Sequence, residues 1–502
     1  MKLNPMILLL ILPLALILSC GPAVAPSPPE YKADDEFIDA KVSYIETSQG
    51  VKLGPTAAKK VPMPEIEKKF DYKFPEVNRK ALPNGFGVHH VSLTRLPLVS
   101  VEIAFRAGSA HDKDELAGLA VFVGEMLKGG TKSRTSKDIA QELETLGIDL
   151  GVWTTSDATV LSFTCLKEHF PTAVELAADM IMGSTFPDEE IEIFRNREIG
   201  RLTLDQSDPY WQAGREFAAQ VYGPHPYSRY DATEESLKKI TKKDIHKFHK
   251  LAYCGSNGFA TIVGDIDFKT AAATIAKHFK KMPKGKALKL KKSAVPERSG
   301  KDIVIVDRPG SVQTVFKIGV TAIERKNPDY TPLTVANHIL GGSVTSRLFL
   351  RIREKESLAY SIRSTISRSV ATGAWYVAGS TTTETTDRLL KGTFEEIEKI
   401  TKEQASQTEI EEAKLYLTGS FPLMIETTDQ IAARVTDMVV FGLPDDYWGT
   451  YLADINDVSP DDVQSMAAKY FTPHRLLVVL VGDAEKIKGL MSDNDNVTVV
   501  NK

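Results

Sequence analysis

At roughly 150 residues per globular unit, a chain of 502 residues has room for about three such units. Its 42% hydrophobic and 25% charged residues are ordinary for a globular protein and exclude a disordered chain, a collagen or a polytopic membrane protein. With 62 basic against 66 acidic residues the chain gives no reason to expect nucleic acid as a partner, and three cysteines exclude a disulfide scaffold or a zinc site of several thiolates.

The chain opens with Lys2 and a 13-residue apolar run, Met6 to Leu18, interrupted only by Pro13. Such a run is too short to span a bilayer and fits the apolar region of a secretory signal. It ends in Ile17-Leu18-Ser19-Cys20-Gly21, which resembles a bacterial lipobox, so residues 1–20 are expected to be a lipoprotein signal with Cys20 as the lipidation site. Gly21 is not an inner-membrane retention signal. The expected location is therefore the bacterial cell envelope, at the outer membrane facing the periplasm, held by the lipid anchor. Residues 21–70 begin with Gly21-Pro22-Ala23-Val24-Ala25-Pro26-Ser27-Pro28-Pro29 and read as a proline-rich tether.

Leu98–Phe105 and Thr159–Thr164 alternate apolar and polar residues as half-buried strands, and Leu116, Leu119, Ala120, Val123 and Leu127 recur between them at helical spacing. His111 with Asp112, Asp114 and Glu115 reads as an exposed helix start, its acids at the positive end of the dipole. His89 and His90 are adjacent in a strand, so they point to opposite faces and cannot chelate one ion together. Two later stretches repeat one another. Thr241 with Asp244, then Tyr253, then Ile262-Val263-Gly264-Asp265 is matched by Ser459 with Asp462, Phe471, and Leu480-Val481-Gly482-Asp483, all displaced by 218 residues (462 − 244, 471 − 253, 482 − 264). Both begin as capping boxes and end in a buried strand stopped by Gly-Asp. The segment Lys277 to Lys292 holds eight lysines and no carboxylate, and reads as a solvated connector.

This pattern predicts an α+β fold of two homologous lobes, each a mostly antiparallel sheet with helices packed on one face. The expected division is an N-terminal lobe at 71–276, a basic linker at 277–298 and a C-terminal lobe at 299–502. Cys165 and Cys254 could pair in an oxidising compartment, and their spacing does not decide it.

Leu82-Pro83-Asn84-Gly85, Arg106-Ala107-Gly108-Ser109, Tyr222-Gly223-Pro224-His225-Pro226-Tyr227, Ser346-Arg347-Leu348-Phe349 and Ser357-Leu358-Ala359-Tyr360-Ser361 together resemble the insulinase/pitrilysin family of zinc metallopeptidases. The likeness runs over about residues 75 to 490 and is to the processing-peptidase-like group. That resemblance implies a chain forming half of a clamshell around a chamber. It also implies a helix bearing H-x-x-E-H, two histidines on one helix face holding zinc and a glutamate acting on the metal-bound water.

In the corresponding stretch here, Val121 replaces the first histidine, Gly124 the general base and Glu125 the second histidine. The third-ligand register falls near Arg201-Leu202, with Glu198 about one turn away. No metal is therefore expected on this chain, which lacks the three protein ligands a catalytic zinc requires. The resemblance also implies an Arg and a Tyr seven positions later that reach the substrate from the opposite lobe; Arg353 and Tyr360 keep that spacing. A guanidinium and a phenol are suitable donors for a carbonyl oxygen gaining charge. Gly341-Gly342-Ser343 ahead of them suits a close backbone approach or a helix end.

The expectation that joins these losses and retentions is a subunit without zinc in a two-chain periplasmic metallopeptidase. It closes the chamber and offers Arg353 and Tyr360 as substrate-binding residues to a zinc-bearing sister chain, with a peptide as substrate. Its rival is a non-catalytic scaffold or peptide-binding pseudopeptidase; an independent metallopeptidase with a rearranged site is the third reading.

Overall fold

Two six-stranded sheets organise the chain, each covered on both faces. The computed structural model describes residues 72–291, 293–491 and 496–501. Cys20, the signal segment and the tether at 21–70 lie outside the described residues. The first sheet is built from β1 (Asn78–Ala81), β2 (Gly87–Ser92), β3 (Leu98–Phe105), β4 (Leu150–Thr154), β5 (Thr159–Leu166) and β6 (Gly258–Gly264), in the order β1-β2-β6-β3-β5-β4. The second contains β7 (Asp302–Asp307), β8 (Gln313–Thr321), β9 (Ala359–Ile366), β10 (Ala374–Thr382), β11 (Leu477–Gly482) and β12 (Val497–Val500), ordered β12-β7-β11-β8-β10-β9.

Leaving out β1 and β12, the sheets have one topology: β2-β6-β3-β5-β4 corresponds to β7-β11-β8-β10-β9. The pair β2–β6 is parallel, as is β7–β11, and the remaining pairs within these five-strand sets are antiparallel. The repeat read from the sequence is physical. Helices Lys242–Ala252 and Pro460–Tyr470 start and end 218 residues apart, and each opens on a complete capping box, Thr241 with Asp244 and Ser459 with Asp462.

Strand alternation shows how the faces are used. On β3, Val99, Val101, Ile103 and Phe105 are buried against helices of their own lobe, such as Phe170–Gly183 and Phe268–Phe279. The intervening residues face a helix of the other lobe: Ser100 Oγ lies 2.6 Å from Thr428 Oγ1, and Ala104 packs with Val439 and Val440. That helix, Thr428–Phe441, covers the inner face of the first sheet, with Val91 and Val263 against Ile431 and Val435. Reciprocally, helix Pro209–Tyr222 of the first lobe buries Ala213, Phe217 and Val221 on Val304, Val315 and Val479 of the second sheet.

The two covering helices are themselves related by the repeat, 219 residues apart at both ends (428 − 209, 441 − 222). Each lobe thus lends one helix to the other. The expected sheet with helices on one face is present, and its second face is closed by the neighbouring lobe. This explains why Val478 to Val481 are fully buried, as in a strand covered on both faces.

A second tie comes from the motif Tyr222 to Tyr227. Tyr227 Oη donates to Asp157 Oδ1 at 2.5 Å and accepts from Ala371 N at 3.1 Å, while Asp157 Oδ2 accepts from Val370 N at 3.1 Å. Cys165 and Cys254 are both buried free thiols, and burial pushes the Cys165 thiol up to about 12. Among the described residues, no helix is long and apolar enough to cross a membrane.

Candidate functional site

The helix Leu119–Met126 carries Val121, Gly124 and Glu125 and packs beside the edge strand β4. Its entry is fixed by Asp112, whose carboxylate accepts from Gly118 N and Ala120 N, both at 2.9 Å. Asp112 does serve the positive end of a helix, but it is buried rather than exposed, and burial pushes its carboxyl up to about 7 against those hydrogen bonds. His111 Nδ1 accepts from Gly108 N at 3.3 Å, so the His111 cluster is spent on local structure.

None of the three motif positions is equipped to hold a metal. Val121 lines a cavity of about 330 Å³ together with Phe194, Glu198 and Asp231, and offers no donor there. Gly124 lets the helix close on the sheet: a Cβ at that position would lie 2.9 Å from Thr154 Oγ1 and 3.1 Å from Thr159 Cγ2. Glu125 is neutralised by Lys128 Nζ at 2.9 Å and Arg197 Nη2 at 3.4 Å.

At the third-ligand register, Arg201 is paired with Glu198, Asp205 and Asp231, and its Nη2 lies 2.8 Å from Asp231 Oδ1. A guanidinium therefore supplies the positive charge that these carboxylates face. The side chains present do not fit a zinc ion, and among the described residues no group of three or more His, Cys, Asp or Glu is placed to hold a metal.

The other half of the candidate site lies on the second sheet's corresponding edge. Arg353 belongs to a π-helical segment, Phe349–Lys355, and Tyr360 to β9. The chain reverses between them at Ser357 (φ 53°), and Leu358 N donates to Ile352 O at 2.8 Å. This brings the seven-residue spacing into contact: the Arg353 guanidinium carbon lies 5.0 Å from the Tyr360 ring centre and 4.8 Å from that of Phe349. Tyr360 is 83% exposed and stacks on that guanidinium; among the described residues Arg353 makes one loose ion pair, 3.5 Å to Glu354.

A second π-helical turn, His338–Gly342, precedes the pair, and Gly341 provides the close approach its sequence suggested. A Cβ there would stand 2.8 Å from Ser364 N on β9. Arg347, from the Ser346–Phe349 motif, is committed to Glu409 through bonds of 2.6 and 3.0 Å and is structural.

Sequence reasoning missed two charged residues at equivalent strand positions, Glu102 on β3 and Lys317 on β8. Both line a cavity of about 470 Å³ between the lobes. In a strand that alternates, a lone charged residue reads as a solvent position; only the borrowed helices turn these inward.

Comparison with known proteins places the chain in a family. Residues 91–213 match the model described as insulinase, peptidase family M16, and residues 239–417 match that described as the peptidase M16 inactive domain. An uncharacterized zinc protease of Mycobacterium leprae is 26% identical over 403 residues, covering 78% of this chain and 88% of that protein. A non-peptidase homolog of Helicobacter pylori is 25% identical over 422 residues, covering 82% and 94%. The crystal structure of a peptidase M16 inactive domain from Pseudomonas fluorescens superposes with a TM-score of 0.76 at 27% identity, over 81% of this chain and 98% of that one. The chain is therefore similar both to relatives named as proteases and to one named as a non-peptidase.

Proposed function

This chain belongs to the insulinase family, peptidase family M16, as a member without the family's zinc-binding residues, and from that premise we propose that it is the non-catalytic subunit of a two-chain periplasmic peptidase. A sister chain of the same family carries the zinc. This chain closes the chamber and directs Arg353 and Tyr360 toward the carbonyl oxygen of a bound peptide, where a guanidinium and a phenol hydroxyl stabilise developing negative charge. The peptide docks in part by adding a strand to an open sheet edge, β4 or β9. Cys20 carries the lipid that holds the assembly at the outer membrane.

The observation that carries this reading is an asymmetry between two equivalent edges. Beside β4, every motif position is apolar, absent or neutralised; beside β9, the donors remain stacked on each other and otherwise almost uncommitted. An arginine and a tyrosine kept together at a solvent-facing edge have a ligand to meet.

The test is reconstitution. Purified alone, the chain cleaves no unfolded peptide; mixed with a zinc-bearing M16 chain from the same cell, it forms a 1:1 complex and raises that chain's peptidase rate. A stable complex or a homodimer with no rate effect supports the scaffold reading instead and overturns this one.

A further inference from the structure

The cavity between the lobes has a chemical asymmetry of its own. Its two sides are related by the internal repeat, and at equivalent places one lobe presents an acid and the other a base. Glu102 lies beside Thr436 on the helix lent by the second lobe, and the Thr436 hydroxyl donates to Thr261 Oγ1 at 3.0 Å. Lys317 Nζ lies 5.1 Å from the ring centre of Phe217 on the helix lent by the first, and 3.8 Å from that of Tyr376. Phe217 and Thr436 occupy the same position in the two covering helices (436 − 217 = 219).

Other charged groups in the wall are already engaged. Asp157 is held by Tyr227 and Val370, and Asp437 by Arg368 at 2.6 Å. Among the described residues, Lys317 has aromatic faces as neighbours and no hydrogen-bond acceptor or carboxylate. Trp153, Tyr222 and Val440 add apolar surface to the cavity wall. A volume of about 470 Å³ lies within the range of small-molecule sites.

We propose that this cavity binds a small zwitterion with an apolar body, a free amino acid or dipeptide, its carboxylate on Lys317 and its ammonium on Glu102. Burial without counter-charge supports the assignment: it lowers the Lys317 ammonium to about 8 and pushes the Glu102 carboxyl up to about 7. A ligand carrying both opposite charges relieves both penalties. The inference concerns the single chain and does not depend on a partner subunit.

The experiment is calorimetric titration of the purified chain at pH 7.5 with the dipeptide Phe-Ala, and separately with its N-acetylated and its C-amidated forms. The expected result is saturable binding of one free dipeptide per chain, weakened about tenfold or more by either cap. In Lys317→Met the free dipeptide weakens by a similar factor while the amidated form is unaffected, and in Glu102→Gln the acetylated form is unaffected. Equal binding of free and capped dipeptides, or no saturable binding at millimolar concentration, overturns the proposal. The comparison of ligands on the unmodified chain decides the matter even if a variant does not fold.

Discussion

The family resemblance aligns Gly124 with the general base, and the space a side chain would need is taken by Thr154 and Thr159. Restoring the motif is therefore not a matter of three side chains. The variant Val121→His, Gly124→Glu, Glu125→His is expected to lose about 1–3 kcal/mol of stability from overpacking. It should also retain no stoichiometric zinc after dialysis, because Arg201 still neutralises Glu198 and Asp231; metal analysis and urea unfolding check the two parts. Arg353 and Tyr360 are the opposite case. Tyr360 is exposed and Arg353 is loosely paired, so Arg353→Ala and Tyr360→Phe should each shift stability by no more than about 0.5 kcal/mol. Any activity lost on those substitutions then reports chemistry rather than unfolding.

Glu102 adds a pH dependence whose sign is fixed by its environment. Its carboxyl is raised to about 7 from an ordinary value of 4.5, so the folded chain binds a proton that the unfolded chain has released between those values. Stability from this group is fully present below about pH 4.5, falls as pH rises toward 7 and is then level. The variant Glu102→Gln should lose that component. Relative to the unmodified chain it gains on the order of 3 kcal/mol at pH 8 over its standing at pH 4.5, read from urea midpoints.

At the scale of elements, the exchanged helices dominate. Phe217 is 2% exposed between Val221 of its own helix and the second sheet, and Phe217→Ala should cost about 3–5 kcal/mol, measured by denaturant unfolding. This is also where the sequence was least informative. Strands at 98–105 and from Thr159, and the 218-residue repeat, were legible because alternation and capping are local. The exchange was not: the apolar stripe of helix Pro209–Tyr222 is the same whether it covers its own sheet or a neighbour's. The same ambiguity hid Glu102 and Lys317, and it made Asp112 read as exposed when it is buried beneath the helix it caps. At the candidate site, the contact between Arg353 and Tyr360 depends on a π-helical segment and a positive φ at Ser357 that no periodicity announces.

Taken as a whole, the described residues from 72 onward form one unit, because each sheet is completed by a helix from the other lobe and Asp157 with Tyr227 clasps the junction. The segments 72–291 and 293–501, produced separately, should each fail to fold stably, and the full chain should show a single unfolding transition by calorimetry. The decisive measurement is steady-state kinetics of the reconstituted two-chain complex with Arg353→Ala or Tyr360→Phe in this chain. The expected kcat is reduced about 100-fold, with the complex intact by size-exclusion chromatography. An unchanged kcat for both variants, in a complex that still forms, would contradict it.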